Sequence, residues 1–482
     1  MKFLTLAALG LVPAVSAHTL FTTFFINGKN QGDGTCVRQP TDGSTSTAPI
    51  YPLTGDVMAC GRDGQDAVPF VCPADAGDTV SFEFRSWPNA EKSGSIDPSH
   101  KGPCAVYLKK VDDMFSSAAA GDGWFKIWDD GYNADTGKWC VDTLIDNGGL
   151  LSVKLPTGLP SGYYLARPEL LALHSAPSGD PQFYHSCAQI FIEQGAEGSS
   201  LSIPSEYAVS IPGHVKADDP GLTFNLYVED AADYVIPGPP VYVPTSTTSG
   251  TKRTLEEGAI PSDCLLKNGN WCAKPIPSSS DVTTCWASVE NCWDQSKVCW
   301  DTMQPSGGWN CEVWADYCTA AGKSCEAGNY DGPPEFTGKE VFKSSPQIPA
   351  PYNVPEGTVV ENPSVPDKEE PTPTEEAATT ARAPTSAPTS APTATATAVP
   401  EEEEKPTTPP PQSDDDDYED GSSSNEEEPS LSISLDGRCG GATGQTCVGS
   451  SFGDCCSKKG RCGRKTRHCT CGCQPEFGNC RK

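Results

Sequence analysis

Thr79-Val-Ser-Phe-Glu-Phe84 alternates apolar and polar side chains, so Val80, Phe82 and Phe84 fall on one face of an extended strand and Ser81 and Glu83 on the other. Ala105-Val-Tyr-Leu-Lys109, Leu151-Ser-Val-Lys-Leu155, Gln189-Ile-Phe-Ile-Glu193 and Thr223-Phe-Asn-Leu-Tyr227 are β-rich runs of the same kind, separated by Gly, Pro and Asp turns. Short strands at this density over residues 18–244 predict an all-β domain, an immunoglobulin-like antiparallel β-sandwich. Its cysteines are Cys36, Cys60, Cys72, Cys104, Cys140 and Cys187, enough for three bridges whose connectivity counting does not decide.

Beyond this domain the period changes. After a Ser/Thr/Gly linker at 245–262, Cys285, Cys292 and Cys299, then Cys311, Cys318 and Cys325, recur every seven residues. Seven residues is close to two helical turns, so each trio lies along one face of a helix. Gln304-Pro-Ser-Gly-Gly308 between them is a turn signal. Residues 263–328 therefore predict an antiparallel helical hairpin with nested bridges Cys285–Cys325, Cys292–Cys318 and Cys299–Cys311, preceded by a small loop closed by Cys264 and Cys272. Trp286, Trp293 and Trp300 repeat with the same spacing. We expect them to pack inside so small a module, the alternative being an aromatic stripe for stacking on sugar rings.

Residues 329–435 turn to Pro, Thr, Ser, Ala and acid, and predict an extended, disordered spacer. Residues 436–482 form a last, basic, cysteine-rich domain. The 482-residue chain carries 23 Cys and a net charge of −30, most of the excess acid lying in runs such as Glu401–Glu404 and Asp414–Asp417. This balance excludes a nucleic-acid partner, and the cysteines argue for an oxidising compartment. No later apolar run is long enough for a membrane partner. Lys2, the apolar run Phe3–Val15 and the small residues Val15 and Ala17 read as a signal peptide over 1–17, so we expect a secreted protein.

Cleavage after Ala17 makes His18 the first residue, which can then offer its α-amino nitrogen and its imidazole to one ion. An all-nitrogen chelate suits copper among the first-row divalent metals. His100, in Asp97-Pro-Ser-His-Lys-Gly-Pro-Cys104, stands in a Gly/Pro-rich loop that can present a further nitrogen. His174, Gln182 and Tyr184 form a third group able to supply a phenol and polar donors. His185, His214 and His468 read as ordinary structural or surface residues.

Taken together, His18, Ser99-His-Lys-Gly-Pro103, Gly123-Trp-Phe-Lys-Ile127, Gly162-Tyr-Tyr-Leu-Ala-Arg167, Leu171-Ala-Leu-His-Ser175, Gln182-Phe-Tyr184, Cys187-Ala-Gln189 and Ile236-Pro-Gly-Pro239 closely resemble the fungal cellulose-active lytic polysaccharide monooxygenases, auxiliary-activity family nine, formerly glycoside hydrolase family sixty-one. The resemblance implies a copper brace of His18 and His100 with Tyr184 as axial oxygen, and His174 and Gln182 beside the activated oxygen species. It also implies the bridge Cys60–Cys187 and a stacking aromatic at Tyr234. For the other four cysteines we expect Cys36–Cys72 and Cys104–Cys140. Thr19, Pro168 and His185-Ser186 depart from the commoner family residues without removing a ligand.

The last domain resembles the hevein-type chitin-binding frame through Cys439, Cys447, Cys455-Cys456, Cys462, Cys469, Cys473 and Cys480. Ser457 is kept as a sugar-binding serine. Lys459, Arg461 and His468 stand where aromatics usually stack on the sugar, and Arg464, Lys465 and Arg467 add to a basic surface that suits a polyanion or the acidic spacer. Cys471 makes the count odd and is free, capped, or paired between chains.

The resemblance implies oxidative cleavage of β-1,4-glycosidic bonds at C1 or C4 in insoluble polysaccharide: cellulose first, then hemicellulose or chitin. One copper ion, an external electron donor and O2 or H2O2 would take part, in a monomeric enzyme. The competing readings are a non-catalytic copper-binding protein on the same fold and a structural wall-binding protein held by its last domain.

Overall fold

The computed structural model describes residues 18–352 apart from Ser199 and Ser345, and residues 432–434, 439–440, 445–448, 450, 453–458, 460–463, 469 and 473–480. The expected signal segment and most of the expected spacer lie outside the described residues, as do Lys459, Arg464, Lys465, Arg467, His468 and Cys471. The chain divides into two compact units, Met1–Thr372 and Pro373–Lys482.

In the first unit a four-stranded and an eight-stranded sheet face each other. The smaller runs in the order Leu150–Lys154, Thr79–Arg85, Leu20–Ile26, Lys29–Asp33. The larger is built around Gly162–Ala172, which pairs antiparallel with Cys104–Val111 on one side and Cys187–Ile192 on the other. Val80, Phe82 and Phe84 meet Phe21 and Phe24 from the neighbouring strand and Leu108, Phe125 and Ile190 from the facing sheet, giving one continuous apolar core. Burying aromatic and branched side chains on this scale is the main drive to fold. The opposite face of the small sheet is also covered. Arg85 bonds Glu83 at 2.8 Å and Asp33 at 3.0 Å there.

The predicted runs at 79–84, 105–109, 151–155 and 189–193 fall on strands. The run at 223–227 does not. Pro220 opens a short helix, Pro220–Thr223, and the Asn225 side chain then accepts the Tyr227 backbone N–H to close a turn. Local side-chain bonding of this kind competes with sheet pairing.

The sandwich is crosslinked by Cys36–Cys72, Cys60–Cys187 and Cys104–Cys140. Two helices, Val282–Asp301 and Trp309–Glu326, form a hairpin whose inner faces carry Cys285–Cys325, Cys292–Cys318 and Cys299–Cys311. Asp281 starts the first helix by accepting the N–H groups of Thr283 and Thr284. Cys264 and Cys272 are bonded ahead of it.

Three expectations are corrected here. Trp286, Trp293 and Trp300 are not packed inside: they are 43%, 43% and 41% exposed. Each follows a buried cysteine by one position, about 100° further round the helix, and this carries it off the inner face. The hairpin core uses Leu266, Trp271, Val289 and Trp314 instead. Residues 245–262, expected as a linker, lie along the sandwich: Arg253 N–H donates to Glu193 O and Val71 N–H to Gly258 O, both at 2.9 Å, and Leu255 is buried. Nor does the spacer begin at 329, because Phe336 packs against the hairpin and Tyr352 stacks on Trp128 at 4.8 Å.

In the second unit the described cysteines pair as Cys439–Cys456, Cys447–Cys462, Cys455–Cys469 and Cys473–Cys480.

Candidate metal centre

His18 precedes the first strand, Leu20–Ile26, by a single residue, so the pairing of that strand with Thr79–Arg85 sets where the histidine emerges. His100 ends a turn in which its N–H donates to Asp97 O at 3.0 Å. The following residues lie on the approach to His174: Leu173 N–H donates to Lys101 O and Leu171 N–H to Pro103 O. Gly102 makes this close contact possible, since a Cβ there would fall 1.9 Å from the Leu171 carbonyl oxygen. Four residues past His100, Cys104 ties the loop to the helix Cys140–Asp146. Tyr184 is held by pairing of Gln182–His185 with Gly162–Ala172 and, three residues on, by Cys187.

The rings of His18, His100 and Tyr184 make a near-equilateral triangle, with centroid separations of 5.9 Å, 6.0 Å and 5.9 Å. His174 lies against His100 at 4.1 Å. The His100 side chain is held by Ser99 Oγ, 3.2 Å from Nδ1, while its buried Nε2 has no protein partner. A buried imidazole nitrogen left open in this way fits a metal ligand, and the engaged Nδ1 fixes the ring. Burial, with help from His174 and His18, lowers the His100 pKa to about 4 and so keeps the ring neutral and able to ligate. Burial also lowers the His174 value and raises that of the Tyr184 phenol, which stays protonated.

Asp180 was missed by sequence reasoning, which had no signal for it beyond a turn at Asp180-Pro181. It accepts from Gln182 Nε2 at 2.9 Å, and Gln182 Oε1 accepts from Tyr184 OH at 2.8 Å. Tyr51 OH donates to the other carboxylate oxygen. One carboxylate therefore orients the amide that orients the phenol.

Tyr234 is not an exposed platform. Its ring meets Trp139 at 4.9 Å and Phe224 at 5.1 Å edge-to-face, and its hydroxyl donates to Gly221 O. The exposed tyrosines beside the site are Tyr51 and Tyr227, the latter 67% exposed with its OH on His174 O at 3.2 Å. Ser457, in the second unit, is buried, and its Oγ accepts Arg461 N–H to close a turn. His185 and His214 lie in the sandwich interior, on Val57 O and Glu169 respectively. The three sulfurs that approach one another at Cys439, Cys447 and Cys456 all belong to formed disulfides.

Two histidine rings and a buried tyrosine thus converge beside one open imidazole nitrogen, an arrangement able to hold a metal ion. Residues 18–234 match the model of Auxiliary Activity family 9 (formerly GH61). The chain is 38% identical over 496 residues to AA9 family lytic polysaccharide monooxygenase H of Botryotinia fuckeliana, covering 99% of both chains. It is 46% identical over 338 residues to the C enzyme of Aspergillus tamarii, covering 67% of this chain and 89% of that one. The solved structure CvAA9A matches with a TM-score of 0.42 at 34% identity, covering 47% of this chain and 98% of that chain. The chain belongs to Auxiliary Activity family 9, the copper-dependent lytic polysaccharide monooxygenases.

Proposed function

We propose that His18, His100 and Tyr184 would together hold one copper ion, in a secreted enzyme that cleaves β-1,4-glycosidic bonds of cellulose. The observation that carries this reading is the unpartnered, buried Nε2 of His100, whose ring stands in a near-equilateral triangle with those of His18 and Tyr184. Cleavage after Ala17 would add the α-amino group of His18 as a further nitrogen. When bound, copper would supply one-electron chemistry drawing on an external donor and O2 or H2O2. The protein's part is to fix the donors. Asp180 holds the Gln182 amide, Gln182 holds the Tyr184 hydroxyl, and His174 stays neutral beside His100, able to donate a hydrogen bond toward the open side. The family's action on insoluble substrate is consistent with a site at the surface of the sandwich, flanked by the exposed Tyr51 and Tyr227. Among the described residues no helix is long and apolar enough to cross a membrane, which is consistent with secretion. The cysteine frame of the second unit supports a chitin-binding-type module, although buried Ser457 offers it no outward hydroxyl.

The test is to incubate the copper-loaded protein beginning at His18 with ascorbate and peroxide on swollen cellulose and on chitin, reading products by mass spectrometry beside His100→Ala. Oxidised cello-oligosaccharides that disappear in the variant establish the reading. Oxidised chitin fragments alone change the substrate, and tight copper binding without products on either polymer refutes the enzyme.

A further inference from the structure

The first hairpin helix, Val282–Asp301, has two unlike faces. Cys285, Cys292 and Cys299 lie inward and are bonded to the second helix. Trp286, Trp293 and Trp300 lie outward and do not contribute to the module's buried core. Three indoles, each about two-fifths exposed and outside the buried core, recur at regular spacing, and an exposed aromatic row of this kind marks an interaction surface. Seven residues of helix advance about 10.5 Å, with about 20° of drift per step, so the row is nearly straight. In an extended β-1,4-linked chain each sugar is turned over relative to the last, and the same sugar face returns once per disaccharide, over a length of the same size.

The residues between the indoles narrow the choice of occupant. Glu290 and Lys297 are exposed and, at helical spacing, fall between successive tryptophans on the same stripe. An apolar protein partner would have to desolvate both charges, whereas a glycan offers each of them hydroxyl groups at the edge of its rings. The module that carries the row is also docked on the sandwich, through residues before and after the helix. Asn270 Nδ2 donates to Gly34 O at 2.8 Å, Cys36 N–H to Asn270 Oδ1 at 3.0 Å, Gln304 Nε2 to Val37 O at 2.9 Å and Trp309 Nε1 to Asn89 O at 3.0 Å. At its Trp300 end the row reaches Gly308, which lines a cleft of about 470 Å³ walled by Trp87 and Trp309. Ser46 borders this cleft and also the small pocket beside Thr19 and Tyr184.

We propose that Trp286, Trp293 and Trp300 form a second glycan-binding surface, on which one β-1,4-glucan chain lies along the helix and stacks every second ring. The choice of glucan over other β-1,4-linked polymers rests on the cellulose reading above. The crosslinks fix the row before binding, so little conformational freedom is lost on contact.

Binding isotherms of the full chain, free of copper, on microcrystalline cellulose test this without involving the reaction. Trp293→Ala should weaken partition about tenfold, the order of one lost stacking contact, and the variant lacking all three indoles should weaken it further. Trp293→Tyr keeps a stacking ring and should retain most of the binding, which separates stacking from misfolding. Oxidation of soluble cello-oligosaccharides by the copper-loaded variants should match that of the parent. Unchanged binding in the triple alanine variant overturns the proposal. So does loss confined to chitin, an equal loss of soluble-substrate oxidation, or a parent that sediments as a dimer and becomes a monomer on Trp293→Ala. A parent that forms no oxidised products yet shows the indole-dependent binding would leave this surface standing and overturn only the catalytic reading.

Discussion

At the scale of single residues, the proposed metal centre rests on one open nitrogen and a short chain of hydrogen bonds. His100→Ala should weaken copper binding to the protein beginning at His18 by more than about 100-fold in calorimetric titration, since a direct ligand matters more than its supporting groups. Asp180→Ala frees the Gln182 amide, and the rate of product formation should fall about 10- to 100-fold while the fold persists. A variant with the parent's rate would show that Gln182 needs no support. Deeper in the sandwich, Glu169 lies 2.6 Å from Arg167 and 3.4 Å from His214. Burial alone would raise its pKa, but the Arg167 charge and the His214 bond hold it well below the usual glutamate range. The folded state therefore binds this proton less readily than the unfolded chain. The stability it contributes is fully present above the unfolded value, near 4.5, and is lost as pH falls below it. Glu169→Gln leaves a buried guanidinium without its counter-charge and should cost about 3–5 kcal/mol at neutral pH. In denaturant titrations at several pH values the gap from the parent should narrow below that value; a constant gap would count against the ion pair.

At the scale of elements, the helical hairpin gains its stability from crosslinks more than from an extended core. Cys292–Cys318 closes a separation of 26 residues midway along both helices, beside Trp314. Replacing both cysteines by serine should destabilise the hairpin by about 2–4 kcal/mol, seen as an earlier calorimetric transition, while leaving the sandwich transition in place. Seven-residue cysteine spacing made both helices legible, because sequence period and helical period nearly coincide. The fate of the tryptophans was not legible. A rotation of about 100° from the cysteine face leaves a residue at the helix flank, and whether a flank is covered depends on what else folds against it.

At the scale of the molecule, the segments on either side of the hairpin extend the ordered body of the first unit. Arg253 and Gly258 join 245–262 to the sandwich, and Tyr352 returns to Trp128 and to Ser152 O. Limited proteolysis of the full chain should therefore yield a core that retains residues 18–352 in one piece. Early cleavage within 245–262 would show the hairpin to be tethered rather than docked. Composition misled the sequence reading here, since Ser-, Thr- and Pro-rich stretches suit a linker and a surface strap equally well, and only the hydrogen-bond partners tell them apart.

The sequence by itself determined the alternating strands of the sandwich, the helical cysteine rhythm and the dispersed residues from which His18, His100, His174, Gln182 and Tyr184 could be picked out. These are properties of local period and of chemical type, which a linear chain carries openly. The tertiary structure alone decided that Asp180 orients Gln182, that Tyr234 is enclosed by Trp139 and Phe224 while Tyr227 stands clear, and that three indoles remain outside. Each of these depends on contacts between segments distant along the chain or on which faces neighbouring elements cover, and neither burial nor pairing across such distances is encoded in the spacing of residues.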